Sequence, residues 1–218
     1  MEDKNLISNI GKNIENLKIP EHIKLVAVSK KKPVELIEEA YNSGHRDFGE
    51  NIIQDAIPKI IKLKHLKDIR WHFIGHLQSN KSKLAAQYFD MIQSIDSQKL
   101  ANKVNNACGE LNKVMPILIE INIGAEKSKG GIKQENLLDL LEYIKPLKHL
   151  KLRGLMCIPP FDENPESFFK KMKNLFDKYK KDYNLGILSM GMSGDYRVAI
   201  AEGGNMVRIG TAIFGKRV

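Results

Sequence analysis

Eight short apolar runs of strand-like composition recur along the 218-residue chain, separated by stretches of helical period. No other feature constrains the fold as tightly. The runs, rich in β-branched and apolar residues and bounded by turn signals, cover 23–30, 46–50, 70–77, 90–95, 115–123, 151–157, 186–191 and 206–209. Several are apolar on both faces, as parallel strands covered by helices are. Pro33 begins the first intervening helix, with Val34, Ile37 and Ala40 facing inward and Gly44 ending it. Further helices are predicted over 52–66, where Pro58 is placed to kink or shorten the element, and over 97–110, 135–143, 165–183 and 195–201. Eight βα units preceded by an N-terminal helical segment predict one α/β domain over 1–218, a (β/α)8 TIM barrel. A doubly wound open sheet is the alternative, but it rarely reaches eight regular units without a GxGxxG in its first turn.

Composition narrows the function classes. No window approaches 18 consecutive apolar residues, so no transmembrane helix and no membrane partner are expected. The first 20 residues are acidic at their start and lack an apolar h-region, unlike a signal peptide. Cys108 and Cys157 fall in different units without CxxC spacing, which predicts a reduced, cytoplasmic protein. The formal net charge of +9 raises nucleic acid as a partner. Most lysines sit in helical segments such as 168–181 (FFKKMKNLFDKYKK), where a solvated outer face explains them, so nucleic acid is not expected.

The chemistry gathers at strand ends. The first run closes as IKLVAVSKKKP, and period two places Val26, Val28 and Lys30 on one face. Lys30 would be the last inward residue, at the carboxyl end of the first strand, where a barrel keeps its active groups. Burial depresses a lysine's pKa, and the neutral amine can attack a carbonyl. Lys31 and Lys32 read as rim charges; the bland alternative makes all three surface lysines of a loop. Near the other terminus, SMGMSGDYR (189–197) and RIGTAIFG (208–215) place small residues between a strand and a helix start. Backbone N–H groups at Ser193, Gly194, Gly210 and Thr211 can then meet an anion, at the strand-seven and strand-eight positions where barrels often bind phosphate. Turns merely rich in Gly and Ser are the alternative. His72 and His76 are roughly 13 Å apart along a strand, too far for one metal ion. No metal site is expected, and both histidines read as buried and hydrogen-bonded. Trp71 and Phe73, on the opposite face, should pack under helices.

The blocks AVSKKKP, FGEN, WHFIGHLQSNK, SIDS, GLMCIPP, LSMGMSGDY and VRIGTAIFG together resemble the pyridoxal phosphate homeostasis family. These are single-domain proteins that bind pyridoxal 5′-phosphate (PLP) and are related to the alanine racemase N-terminal barrel. The resemblance runs from residue 23 to 215 and implies that barrel type with an extra N-terminal helix. It implies that Lys30 forms the Schiff base with PLP, that Asn51 lies close to the ring, and that Ser193, Gly210 and Thr211 cradle the phosphate. It also implies that Arg208 faces the pyridine nitrogen, keeping it unprotonated and weakening the cofactor as an electron sink. Met190 and His76 are implied as wall residues. The run GAEKSKGGI (124–132) is placed near the barrel mouth, as a flap over the ligand or an ordinary solvent loop.

The resemblance therefore implies a PLP-binding protein of intracellular vitamin B6 homeostasis, without substantial turnover, with PLP-requiring apoenzymes as possible recipients. A racemase-like PLP enzyme is the alternative. Racemisation wants a second base, a tyrosine near the subunit contact in two-domain racemases, and the chain reaches Val218 directly after the eighth strand, where no second domain is expected. For the same reason a monomer is expected. A Schiff-base aldolase on a generic barrel would place its lysine in a later strand and would have no need of Arg208. Lys32, near the mouth, is a candidate for a second attachment or transfer step.

Overall fold

The computed structural model describes residues 10–126 and 129–215. Eight strands pair in chain order and close into a barrel: β1 (Lys24–Val28), β2 (Asp47–Glu50), β3 (Arg70–Phe73), β4 (Met91–Ile95), β5 (Met115–Ile121), β6 (Leu150–Cys157), β7 (Ile187–Ser189) and β8 (Met206–Ile209). All eight pairings are parallel. Each expected strand is present, and the closed barrel, not the open sheet, is the architecture. The chain joins β8 to β1 in the register Val26↔Arg208 and Ala27↔Ile209.

Helices α2 (Val34–Asn42), α3 (Ile53–Lys62), α5 (Gln98–Glu110), α6 (Leu137–Ile144), α7 (Pro165–Lys180) and α8 (Tyr196–Ala201) match the helical periods. Val34, Ile37 and Ala40 are the buried residues of α2, as their spacing predicts. Pro58 lies within α3, which ends at Lys62 rather than running on to residue 66. Ser97 caps α5 by accepting from Leu100 N, and Asn164 caps α7 ahead of Pro165. The lysines of α7 lie outside its buried face, Lys170 pairing with Glu166 and Lys173 with Asp177, while Phe168, Phe169, Met172, Phe176 and Tyr179 are buried. Of the N-terminal helical segment, α1 (Ile10–Asn16) is present; residues 1–9 lie outside the described residues.

One short helix, α4 (Ser82–Tyr88), carries no clear sequence signature, whereas α9 (Thr211–Phe214) begins at the helix start expected after β8. The buried side of α4 consists of Ser82, Ala85 and Ala86, too small to raise an apolar period. β3 stops at Phe73, four residues short of its expected end. There the chain peels onto the neighbouring loop, and a Cβ at Gly75 would sit 2.2 Å from the Asn51 carbonyl oxygen. Only glycine permits that approach.

The core has two parts. The larger lies between sheet and helices and includes Ala27, Phe48, Trp71, Phe73, Ile119 and Leu155. The smaller fills the barrel interior with Val26, Leu118, Met156 and Met206. Barrel interiors are ordinarily layered with branched apolar chains. Here His72, Gln93, Ser189 and Arg208 are buried as well, on β3, β4, β7 and β8. That polar interior lies beneath the site.

Candidate functional site

A cavity of about 650 Å³ opens where the strands end. Val28 and Lys30 enter it from β1, Asn51 from the end of β2, and Ile74, Gly75 and His76 from the loop after β3. Glu120 of β5, Ile158 and Phe161 after β6, and Met192, Ser193 and Gly194 after β7 continue the wall, which Arg208, Gly210 and Thr211 complete. Lys30 and the Gly/Ser/Thr turns, far apart in sequence, thus share one cavity.

Lys30 stands just beyond β1, half-buried, in a turn rather than in the strand. The turn is sharp, with φ of 58° at Lys31, a left-handed conformation disfavoured for a residue with a Cβ. A buried clamp holds it. Ser29 donates its N–H to Gly49 O at 3.0 Å and its hydroxyl to Glu50 Oε1 at 2.7 Å, while its carbonyl accepts from Lys59 Nζ at 2.8 Å and Lys32 N at 3.0 Å. Lys59 also meets Glu50 Oε1 at 2.8 Å, so one buried ion pair grips the residue before Lys30 from two sides. Glu50 is fully buried and, among the described residues, its Oε2 has no hydrogen-bond partner. The carboxylate therefore depends on Lys59. Nothing local in the sequence marks this pair, since its members meet only through the βα fold.

Two turns, after β7 and after β8, bring Ser193, Gly194, Gly210 and Thr211 to the cavity wall. Met192 to Asp195 is closed by Asp195 N to Met192 O at 3.1 Å and tightened by Met192 N to Asp195 Oδ1 at 2.6 Å. Ser193 and Gly194 form its interior. A Cβ at Gly194 would meet nothing within 4 Å, so open space lies beside that backbone. Thr211 starts α9, where an N–H has no partner within the helix. Ala212 N approaches Ser193 Oγ at 3.4 Å and links the two turns. Hydroxyls and amides at Ser193, Gly194, Gly210 and Thr211 suit a phosphate dianion, and an amine lines the same cavity. This donor set fits PLP.

Arg208 is buried, donating from one guanidinium nitrogen to Ser189 Oγ at 2.6 Å and from another to Cys157 O at 2.8 Å. Burial lowers its pKa from the ordinary value, and the acidic groups of Cys157, Glu120 and Asp195 pull it back up. The Cys157 thiol behind it is pushed up to about 12 by burial and is not a nucleophile.

One expected wall residue stands elsewhere than predicted, and another lines the cavity but is exposed rather than buried. Met190 is fully buried in the outer core and does not line the cavity; Met192 does. Ser189 faces inward, so alternation sends Met190 outward, and the positive φ of Gly191 (93°) then resets the chain so that Met192 reaches the wall. His76 lines the cavity, but its side chain is 65% exposed and sits 3.7 Å from Asp96, so the buried reading fails for it. The strand has ended before it. His72 is buried and hydrogen-bonded as expected. Lys32 is half-buried and lies outside the cavity lining; burial lowers its pKa. In the 124–132 segment, Lys127 and Ser128 lie outside the described residues, whereas Lys129 and Gly130 line the cavity. Asn122 ties the base of that loop through Glu126 N and Glu126 O.

Glu120 was not legible as a site residue, although period two in MPILIEINI places it on the inward face. Its carboxyl is pushed up to about 7 by burial, with Arg208 opposing and Asp96 reinforcing the shift. A raised carboxyl pKa stabilises the fold fully below the ordinary value of 4.5, and that contribution is lost as pH rises through about 7.

The chain matches a family model described as alanine racemase, N-terminal domain, over residues 6–218. A pyridoxal phosphate homeostasis protein of Pasteurella multocida is 46% identical over 218 residues, covering 96% of this chain and 93% of that protein. Its counterpart in Aquifex aeolicus is 45% identical over 199 residues, covering 89% of this chain and 87% of the other. The structure of PipY from Synechococcus elongatus with PLP bound superposes with a TM-score of 0.88 at 34% identity, covering 95% of this chain and 100% of that one.

Two predictions follow from the clamp and from Glu120. Lys59→Met strands a buried carboxylate and is expected to cost about 3–5 kcal/mol in urea unfolding. Adding Glu50→Gln should recover much of that loss; a double variant no better than the single one would show that the pair does not act as a unit. Glu120→Gln is expected to raise Tm at pH 8 by ~2–4 °C, as about 1 kcal/mol does in a domain of this size, and to leave it unchanged at pH 4. Equal effects at both pH values would contradict the assigned burial of the charge.

Proposed function

Because the chain belongs to the alanine racemase N-terminal domain family, we propose that it binds pyridoxal 5′-phosphate and serves PLP homeostasis in the cytoplasm, as a carrier rather than a catalyst. The carrying observation is that Lys30 and the Ser193, Gly194, Gly210 and Thr211 turns line one cavity. The PLP-bound PipY structure and the names of the curated relatives support the same reading.

Each residue has a physical role in this account. Lys30 supplies the amine that condenses with the aldehyde of PLP, with loss of water, and the Ser29–Glu50–Lys59 clamp sets where that amine stands. Ser193, Gly210 and Thr211 hold the phosphate through hydroxyl and amide donors. Asn51 and His76 flank the ring from the β2 and β3 ends. Arg208 donates to the pyridine nitrogen and, as a group that does not give up its proton, leaves that nitrogen unprotonated. PLP contributes its aldehyde and its electron-withdrawing ring. With the ring nitrogen unprotonated, that electron sink is weak, which favours holding the cofactor over broad carbanion chemistry.

None of the six tyrosines lines the cavity, so among the described residues the tyrosine base of racemase-type chemistry has no counterpart beside Lys30. Cys108 and Cys157 are free and buried, in keeping with a reducing compartment. Among the described residues no helix is long and apolar enough to cross a membrane. Release to PLP-requiring apoenzymes, by a monomer, completes the reading.

Equilibrium dialysis of PLP tests it. Lys30→Ala is expected to weaken binding at least about tenfold, or 1.4 kcal/mol, while inorganic phosphate still competes for the residual site and Tm stays near that of the wild type. Amino-acid racemisation should stay well below about 1 per second. Turnover at that rate or faster would make the protein an enzyme, and global unfolding of Lys30→Ala would make Lys30 structural.

A further inference from the structure

Beneath the cavity, a file of buried polar side chains crosses the barrel interior from Arg208 to the first residue of β2. Arg208 donates to Ser189 Oγ at 2.6 Å, Ser189 Oγ donates to Gln93 Oε1 at 2.7 Å, and Gln93 Nε2 meets His72 Nδ1 at 3.1 Å. His72 Nε2 in turn meets Asp47 Oδ1 at 2.9 Å. All five residues are buried. Asp47 is further held by Arg70, through Nε at 2.9 Å, and by Lys24 at 3.6 Å. The Asp47 end is a fixed anion: burial pushes its carboxyl up, but hydrogen bonds from Arg70 and His72 and the charge of Lys24 hold it well below the usual carboxylate range.

The chemistry of the two ends leaves one direction for every bond between them. A guanidinium can only donate, so Ser189 Oγ must accept from Arg208 and spend its single proton on Gln93 Oε1. That fixes the Gln93 amide with its NH2 toward His72, and Nδ1 must then be the acceptor. The imidazole proton is left on Nε2, facing Asp47, which can only accept. A second proton on His72 would oppose the Gln93 NH2. Turning the amide to relieve that conflict would bring its NH2 to Ser189, whose hydroxyl proton would then lose its acceptor. Among side chains this buried, such a reversal leaves a donor without an acceptor, which costs free energy.

We propose that Asp47, His72, Gln93 and Ser189 are positioning residues for the cofactor: a one-way hydrogen-bond relay that fixes the orientation of Arg208 at the cavity floor and thereby sets the electronic state of the bound ring. This rests on the reading of Arg208 as the partner of the pyridine nitrogen. The remaining groups facing Arg208 are the Cys157 carbonyl, Glu120 and Asp195. Gln93 Nε2 also approaches Sδ of Met206, in the inner apolar cluster, at 3.3 Å. The relay explains why the interior of this barrel is not filled by branched apolar chains at those four positions.

The full chain, loaded with PLP, tests the relay by two readouts. In 15N spectra of the wild type, His72 is expected as the neutral Nε2–H tautomer. The pH midpoint of the visible band of bound PLP is then compared in wild type, Gln93→Glu and Gln93→Met. Gln93→Glu places an acceptor against His72 Nδ1, so it should draw a second proton onto His72 and raise the band's midpoint by on the order of half a unit. Gln93→Met keeps the volume but removes both bonds, and should weaken PLP binding about fivefold, the worth of one hydrogen bond. His72 found as the Nδ1–H tautomer or doubly protonated in the wild type would overturn the relay without recourse to any variant. So would variants that lose Tm while band midpoint and affinity stay at wild-type values, since that marks a purely structural network. A wild type with no PLP band at all would instead sink the functional reading, and the relay with it.

Discussion

Closure of the barrel between its first and last strands is the constraint on which the rest depends. The β1–β8 register sets Val26 beside Arg208 and Ala27 beside Ile209. It therefore sets the turn carrying Lys30 beside the turn carrying Gly210 and Thr211. The lysine proposed as covalent anchor and the turns proposed as anion cradle, from opposite ends of the chain, become neighbours only because eight parallel strands return to their starting point. An open sheet with the same strands would hold both motifs at opposite edges, with no cavity between them.

Given that closure, the molecule divides its stabilisation. Apolar burial between sheet and helices supplies the driving force for folding, through residues such as Phe48, Phe73 and Ile119. The barrel interior contributes little of it. There, polar groups are removed from water, which costs free energy unless each finds a partner. The file from Asp47 to Arg208 and the Ser29–Glu50–Lys59 clamp provide such partners. Both networks end at a site residue, one at Arg208 and the other beside Lys30. Rigidity is thus placed where a ligand's two reactive ends, aldehyde and ring nitrogen, would have to be met in fixed geometry.

What was legible in the sequence was what is local. Strand existence, the inner side of α2, the position of Lys30 and the Ser193, Gly210 and Thr211 turns follow from period and turn chemistry within about ten residues. Errors arise where alternation stops. Met190 is implied as a wall residue by the family resemblance, but β7 ends at Ser189 and the chain resets at Gly191, so Met192 takes the wall position. His76 was read as buried because β3 was extended beyond Phe73. α4 was missed because it packs through Ser and Ala. Glu50–Lys59 and His72–Gln93–Ser189 are encoded by neither period nor turn chemistry: the first joins a strand end to a helix residue nine positions on, and the second takes its members from three separate strands.

The most direct test of the central claim is the visible spectrum of the purified protein after PLP addition and again after borohydride, with the modified peptide then located by mass. A band that borohydride bleaches, with the added mass on the peptide containing Lys30, is the predicted result. A protein that stays colourless in excess PLP, or that carries the label on another lysine, would contradict the account.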